Sequence, residues 1–373
     1  MKGAEPAGAV VGSPAAAPMD DIFASLRQMT AAGTQGFEGF IAAALSEVSG
    51  QSFWLTKPGP QGGNDGLSLP FGNALAVAME AKRFREDTRL PLDQLKAKVT
   101  ETAQTYPAVE LWVLAATREI AANDLADLEQ FAESFGLAVL VLDTRPLPGG
   151  LPLLALLCAA APYATAKHLP VTPGLTAALD AVRGSPLYDA ALIWLRGRLA
   201  SPDVGYAATR AAVACWMRTA MTDLGTAKAE LGSHADLLAP ANKAQVRRRS
   251  AEVFLAFAVA DPGKVRALLG GEGVGKTWAV LSWWHAHAGE AGEALPLTVW
   301  LSAKQIGEGG IEASITEALC KRTGVRDRAF WERRLRRWQA GDGPRLLVVI
   351  DGLNQNWLIE RWTDVLQLLL AGG

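Results

Sequence analysis

The stretch Ala76-Val77-Ala78-Met79-Glu80-Ala81-Lys82 joins an apolar run, typical of a buried β-strand, to two charged residues at its end. Successive side chains of a strand point to opposite faces, so Glu80 and Lys82 project on one face and Ala81 on the other. Asp65 belongs to the strand before it and would meet Glu80 across the hairpin. These two carboxylates and the Ala81 carbonyl are the oxygen ligands that Mg²⁺ prefers.

The elements on both sides of this strand predict a mixed α/β sheet. Helical and strand patterns alternate in the order α-β-β-β-α-β-α-β, and such alternation is typical of sheets covered by helices. The predicted elements are the helix Phe37–Val48, the strands Ser52–Thr56, Leu67–Leu69 and Ala76–Ala81, the helix Leu92–Thr105, the strand Val109–Ala115, the helix Ala121–Phe135 and the strand Leu137–Leu142.

Composition places the chain among globular proteins. Of its 373 residues, 50% are hydrophobic and 20% are charged, with a net charge of −2, which excludes disordered, collagen-like and coiled-coil classes. The three cysteines, Cys158, Cys215 and Cys320, are far apart in sequence and odd in number, a pattern that does not predict a disulfide framework or a zinc site. The run Leu151–Ala161 is shorter than the roughly 20 residues of a membrane span and is predicted to be a buried helix. We expect a cytoplasmic protein with no membrane segment.

Composition also divides the chain into four predicted parts. In order, they are a disordered Ala/Gly/Pro-rich leader at 1–20, the α/β domain at 21–145, a helical connector at 146–260, and a second strand-containing domain at 261–373. The predicted strands of the last part are Val265–Leu269, Leu297–Leu301 and Leu346–Ile350.

The loop Gly270-Gly271-Glu272-Gly273-Val274-Gly275-Lys276-Thr277 fits the pattern G-x-x-x-x-G-K-[ST], which cradles nucleotide phosphates. Lys276 would offer its charge to the β- and γ-phosphates of ATP, and the Thr277 hydroxyl would bind Mg²⁺. A predicted strand before the loop and a predicted helix over Trp278–His287 favour a nucleotide site over a plain glycine turn. The glycines that would let successive N–H groups face the phosphates are Gly270, Gly273 and Gly275.

A second nucleotide element is the apolar strand Leu346–Ile350, which ends in Asp351. An acid at the tip of such a strand would hold the Mg²⁺ of the nucleotide, directly or through water. The alternative is a core strand that ends in an Asp-Gly turn. The phosphate loop upstream favours the metal-binding role.

Two segments resemble the PD-(D/E)xK nucleases: Gly59-Pro60-Gln61-Gly62-Gly63-Asn64-Asp65-Gly66 and Met79-Glu80-Ala81-Lys82. The Gln-Gly-Gly turn is closest to Mrr-like restriction endonucleases, and the resemblance spans residues 37–142. It implies Mg²⁺-dependent cleavage of double-stranded DNA, in which Lys82 orients the attacking water or stabilises charge on the phosphate. It also implies two helper residues, Glu38 in the first helix and Gln94 in the helix after the lysine strand.

The charge of this domain does not favour DNA binding as a whole. Residues 37–145 contain nine basic and fifteen acidic side chains, a net charge of −6, whereas DNA-binding surfaces are usually basic. A local basic cluster would line a groove, and several domains side by side would bind DNA better than one. The cluster consists of Lys82, Arg83, Arg85, Arg89, Lys96 and Lys98.

The segment Asp351-Gly352-Leu353-Asn354-Gln355 resembles the Asp-Gly-Leu-Asp-Glu type of ending in NACHT-class STAND ATPases. Asn354 and Gln355 stand where that family commonly has two acids. A neutral glutamine cannot accept a proton from the attacking water, so the sequence favours nucleotide binding over fast turnover. Since the NTPase fold would need further strands, we expect an N-terminal portion of a longer protein.

A nuclease, a helical connector and a STAND NTPase in this order resemble antiviral STAND proteins of the Avs or AVAST group. The resemblance implies an antiphage effector in which a C-terminal region senses a phage protein, ATP drives assembly of a tetramer, and the clustered nucleases cut double-stranded DNA. Two other functions remain open. One is an NTP-driven restriction endonuclease similar to McrBC, and the other is a non-enzymatic ATP switch with a degenerate nuclease-like oligomerisation domain.

The basic run Lys321–Arg337 contains eight lysines and arginines interleaved with aromatic residues. Contact with nucleic acid or a neighbouring subunit is one interpretation. The pattern favours an amphipathic helix with a basic, solvent-facing side.

Overall fold

A computed structural model describes residues 19–56, 64–68, 74–84, 90–146, 150–231, 249–261, 265–271, 273–290, 292–307, 309–324, 327–340 and 343–353. Within these ranges the chain is a mixed α/β protein with two sheets. The strands are β1 Phe53–Leu55, β2 Gly66–Ser68, β3 Val77–Lys82, β4 Leu111–Ala116, β5 Ala138–Leu142, β6 Leu297–Ser302 and β7 Leu346–Asp351.

Helices account for most of the remaining described residues. The helices of the first half are α1 Asp20–Gln28, α2 Phe37–Ser49, α3 Leu92–Thr105, α4 Ala122–Glu133, α5 Leu153–Ala160, α6 Pro162–His168, α7 Pro173–Arg183 and α8 Tyr188–Ala200. Those of the second half are α9 Tyr206–Thr222, α10 Leu224–Glu230, α11 Arg249–Ala260, α12 Lys276–His287, α13 Gly310–Thr323 and α14 Arg328–Gln339. No helix in the part of the chain that the structure describes is long and apolar enough to cross a bilayer.

The first sheet has the strand order β1-β2-β3-β4-β5. β1, β2 and β3 form an antiparallel meander, whereas β3, β4 and β5 are parallel and are connected through α3 and α4. The predicted element order is therefore confirmed for this part of the chain, and α3 has the bounds that the sequence predicts.

Both faces of the central strands are buried, with side chains alternating between two apolar cores. Val77, Met79 and Ala81 pack against α2 and the helices after the sheet, while Ala78 packs in the core beneath α3 and α4. Glu80 has the parity of Ala78 and therefore lies on the face that α3 covers. Strands buried on both faces are the usual consequence of parallel pairing with helical crossovers.

The helices of residues 150–260 are shared between two hydrophobic cores. α5 is apolar and buried over Leu153–Ala159, as the sequence predicts, and packs with α7 and α8 against the first sheet. The core of the second half begins at Val213 in α9. The predicted connector at 146–260 stays a prediction, but its helices pack as parts of the two halves.

The second sheet pairs β6 with β7 in parallel, and its register places Ser302 beside Asp351. The strand predicted over Val265–Leu269 is wrong, since the structure has no strand there. Arg266 pairs with Asp261 at 2.6 Å and lies over the ring of Phe257, so local contacts hold this segment to the end of α11. An apolar run alone does not specify a strand unless a sheet edge pairs with it.

The basic run at 321–337 also differs from its prediction. It is divided between α13 and α14, and three of its arginines, Arg322, Arg334 and Arg337, are buried instead of facing solvent. Glu110, which directly precedes β4, supplies the counter-charge: its Oε1 lies 3.4 Å from Arg334 Nε, and its Oε2 contacts Arg337. The Arg334 guanidinium also lies 4.4 Å from the ring centroid of Phe330.

We predict that Glu110→Ala lowers the free energy of unfolding by about 3–5 kcal/mol, because it leaves two buried guanidinium groups without their carboxylate. Glu332→Ala is the matched control, since Glu332 pairs with Arg328 on the exposed side of α14. Its loss should cost no more than about 1 kcal/mol. Urea denaturation of the three proteins measures this, and equal losses in both variants would contradict the structural role of Glu110.

Candidate functional site

Three of the predicted nuclease residues lie together at the end of β3. The Nζ of Lys82 pairs with Oε1 of Glu80 and lies 3.8 Å from Oδ2 of Asp65. The same Asp65 oxygen accepts a hydrogen bond of 2.9 Å from the backbone N–H of Ala81. One ammonium group therefore lies beside two carboxylates at the C-terminal end of β3, the central strand of the sheet.

Backbone contacts fix the position of Asp65. Its N–H donates to the carbonyl of Met79 at 2.9 Å, and its carbonyl accepts from the N–H of Thr56 at 3.1 Å. Gly66 follows in the register opposite Met79, and a Cβ at Gly66 would lie 3.0 Å from Cγ of Met79. Because Gly66 has no side chain, β2 and β3 pair here without a clash with the Met79 side chain.

The environment of Glu80 disfavours its charge. Its side chain has no exposed surface, and burial raises its pKa from 4.5 to about 7, with the charge of Asp65 acting in the same direction and Lys82 opposing it. Burial alone would lower the pKa of Lys82, but the charges of Glu80 and Asp65 outweigh it and raise that pKa. The Oε2 of Glu80 is buried without a hydrogen-bond partner in the described residues.

These residues fit a Mg²⁺ ion. The N–H and C=O of one strand residue point to the same side, so the Ala81 carbonyl faces Asp65 as its N–H does. Asp65, Glu80 and this carbonyl would supply three oxygen ligands, and Mg²⁺ usually completes its shell with water. No cluster of three or more His, Cys, Asp or Glu residues with metal-binding geometry occurs in the described ranges, so this site depends on two carboxylates.

The two predicted helper residues differ in position. Glu38 is in the first turn of α2, where its Oε2 accepts from the N–H of Gly33 at 3.0 Å. Burial raises its pKa, and the charges of Asp65 and Lys82 act on it, which places it near the site. Gln94 is exposed in the first turn of α3, and no contact with the site joins it in the described residues.

Lys98 lies one helical turn after Gln94 on the same side of α3. Its charge lowers the pKa of Glu80, and its Nζ pairs with Glu101 at 3.1 Å. The sequence identifies Lys98 only as one of six basic residues. Lys98 follows Gln94 by four residues on the helix that covers the Glu80 face. This spacing is the sequence signal that could have identified it.

The second predicted site is the loop before α12. Gly273 and Gly275 have positive φ angles of 73° and 81°, which favour glycine, and α12 begins at Lys276. The Nζ of Lys276 donates to the carbonyls of Gly270 and Gly271, each at 2.8 Å. The loop therefore wraps around the lysine ammonium, and the N-terminus of α12 points toward the loop.

The structure also brings Thr277 and Asp351 together from distant parts of the chain. The Thr277 hydroxyl lies 3.0 Å from each carboxylate oxygen of Asp351. Burial raises the pKa of Asp351, and the Thr277 hydroxyl and the Lys276 charge oppose that shift. A hydroxyl and a carboxylate beside a lysine and a glycine loop fit Mg²⁺ bound to a nucleotide phosphate.

Four parts of the sequence hypothesis fall wholly or mostly outside the described residues. They are the leader predicted at 1–20, of which the structure describes only 19 and 20, the Gln-Gly-Gly turn at 61–63, the basic residues Arg85 and Arg89, and the pair Asn354 and Gln355. Their roles stay predictions.

In comparisons with known proteins, no family model, no curated protein and no solved structure matches this chain. The interpretation of both sites therefore depends on their own residues and geometry. Neither the nuclease resemblance nor the STAND resemblance gains support from a relative.

We predict that Glu80 makes stability depend on pH. Because its pKa is raised from 4.5 to about 7, the folded chain holds this proton where the unfolded chain has lost it. Its contribution to the free energy of unfolding is full below pH 4.5 and is lost as the pH rises through 7.

Denaturation of the parent and of Glu80→Gln, with EDTA present, checks this sign. The parent should lose stability relative to the variant as the pH rises across that window. A difference in unfolding free energy that stays constant with pH would contradict the buried position of Glu80.

Proposed function

We propose that this protein is a Mg²⁺-dependent DNA endonuclease of the PD-(D/E)xK type, controlled by ATP at the loop before α12. The observation that carries the proposal is the convergence of Asp65, Glu80 and Lys82 at the end of β3. Two carboxylates would hold the metal that activates water for phosphodiester hydrolysis, and a lysine beside them would stabilise the charge that develops on the phosphate. The first sheet, with an antiparallel hairpin that leads into parallel strands, supports the same fold.

Each residue of the candidate nuclease site would have a separate role in the reaction. Asp65 and Glu80 would hold Mg²⁺, with the Ala81 carbonyl as a third ligand, and Mg²⁺ when bound lowers the pKa of its water. Lys82 is exposed over 34% of its side chain, so its ammonium reaches both the carboxylates and the solvent from which DNA approaches. There it would orient the water or stabilise the charge that develops on the phosphate. Glu38 would assist from α2.

The three described lysines of the basic cluster are each paired with an acidic neighbour: Lys82 with Glu80, Lys98 with Glu101, and Lys96 with Asp127 at 2.8 Å. In a single copy of the domain, these lysines present little free positive charge to DNA. We infer that cleavage needs several copies on one duplex, whose combined binding exceeds that of one copy through effective concentration. A homo-oligomer, a tetramer by resemblance, meets this requirement.

ATP would act as the assembly switch. Lys276, Thr277 and Asp351 have the arrangement that holds Mg²⁺ and phosphate, and the neutral Asn354 and Gln355 favour a long-lived bound state. A ligand stabilises whichever conformation it binds more tightly, so bound ATP would hold the conformation that assembles. By resemblance to antiviral STAND proteins, the trigger is a phage protein and the role is antiphage defence.

We predict that Lys82→Ala abolishes nicking of a plasmid by the full-length protein with its trigger, Mg²⁺ and ATP, because it removes the ammonium beside the reacting phosphate. Lys167→Ala, on the exposed surface of α6, is the matched control and should cut as the parent does. Equal cleavage by Lys82→Ala and the parent would contradict the assignment of the site.

The same assay separates the other functions. Cleavage that continues with a non-hydrolysable ATP analogue supports the switch, whereas cleavage that stops favours an NTP-driven restriction enzyme similar to McrBC. A parent that assembles with ATP and never cuts DNA favours the non-enzymatic switch.

We predict that Lys276→Ala weakens ATP binding by about ten- to a hundredfold, since the loss of a charged contact to phosphate costs about 1.5–3 kcal/mol. Calorimetric titration of the full-length protein with Mg²⁺–ATP measures this. Lys304→Ala, an exposed lysine just after β6, should bind ATP as the parent does. Unchanged affinity in Lys276→Ala would place the nucleotide elsewhere.

A further inference from the structure

The position of the Lys82 ammonium affects how a metal ion would enter the candidate site. Nζ contacts Oε1 of Glu80 and is 3.8 Å from Oδ2 of Asp65, the two carboxylates that would bind Mg²⁺. Oδ2 of Asp65 also accepts a hydrogen bond from the N–H of Ala81, so both carboxylates lie at the C-terminal end of β3. The ammonium therefore lies where the negative charge of the site is concentrated.

We propose that Lys82 is an internal cation that competes with the divalent cation for Glu80, so that the metal binds only as the ammonium moves away. The inference rests on the proposed function, since it concerns the same metal site. A divalent cation on Glu80 and an ammonium in contact with the same carboxylate would lie close enough to repel each other strongly, whichever oxygen the metal takes. Loading the site therefore requires an exchange of partners.

The burial of Glu80 and the partial exposure of Lys82 determine which of the two groups moves in this exchange. Glu80 has no exposed side-chain surface, so its carboxylate cannot turn to solvent for another partner. Lys82, two residues later on the same face, is exposed over 34% of its side chain and has a path outward. The carboxylate stays in place, and the ammonium is the group that moves.

The exchange gives the site a dependence on its substrate. An ammonium displaced from Glu80 needs a new anionic partner. A phosphate of DNA bound at the C-terminal end of β3 would supply one. Metal and DNA would then bind with positive coupling, since each favours the arrangement that the other requires. Lys82 would keep the affinity of the site for metal low until DNA binds.

Divalent-cation affinity tests the competition without any measurement of cleavage. The full-length protein, without DNA or nucleotide, is titrated calorimetrically with CaCl₂, and the titration is repeated for Lys82→Met. Lys82→Gln serves as a second variant, because its amide still donates to Glu80 and preserves folding. We expect both variants to bind Ca²⁺ at least about tenfold more tightly than the parent.

Lys98→Met is the matched control. It removes the same charge from the surroundings of Glu80, but Lys98 pairs with Glu101 and acts on Glu80 only at a distance. Its Ca²⁺ affinity should change by no more than about threefold, since the ion pair of Lys98 is with Glu101 and the interaction of two charges falls with their distance.

The outcomes separate this inference from the proposed function. Equal tightening in the Lys82 and Lys98 variants would overturn the competition and leave a general charge effect. Unchanged affinity in both Lys82 variants would overturn it as well. If neither the parent nor any variant binds a divalent cation at this site, the proposed nuclease function fails together with it.

Discussion

A buried carboxylate at the end of a buried strand is the constraint on which the candidate nuclease site depends. Glu80 cannot turn to solvent, so its charge must be balanced from within the fold, and an unpaired buried charge is costly. Lys82 balances it from the same face of β3, while Asp65, fixed by the backbone of the hairpin, brings a second carboxylate to the same place. This concentration of charge at the C-terminal end of β3 is the feature on which the proposed Mg²⁺ site rests.

The second half of the chain has its own anchor and is joined to the first by another buried charge. The Tyr206 hydroxyl donates to the carbonyl of Arg345 and accepts from the N–H of Leu297, which secures the starts of β7 and β6. Its ring meets Trp338 edge-on, and the same helix, α14, carries the arginines that bind Glu110 beside β4. The sheet of the candidate nucleotide site and the sheet of the candidate nuclease site thus share one packed junction.

Local patterns predict most of the first sheet and both groups of candidate residues. Alternation in β3 places Glu80 with Lys82, and the glycine loop and the acid at the end of β7 identify Thr277 and Asp351 as partners. The failures depend on long-range contacts. The sequence pattern predicts that Arg334 and Arg337 face solvent, because their counter-ion, Glu110, is remote in sequence. The run Val265–Leu269 has the pattern of a strand, but Arg266 pairs with Asp261 at the end of α11. Periodicity carries no information about such partners.

The most direct test of the central claim is the location of a bound metal. Mn²⁺ accepts the same carboxylate and carbonyl ligands as Mg²⁺ and is visible by anomalous diffraction. In crystals of the protein grown with Mn²⁺ and a DNA duplex, we predict an anomalous peak bound by Asp65, Glu80 and the Ala81 carbonyl, with the Lys82 ammonium turned toward phosphate. The absence of a peak at these ligands, with Lys82 still on Glu80, would contradict the account.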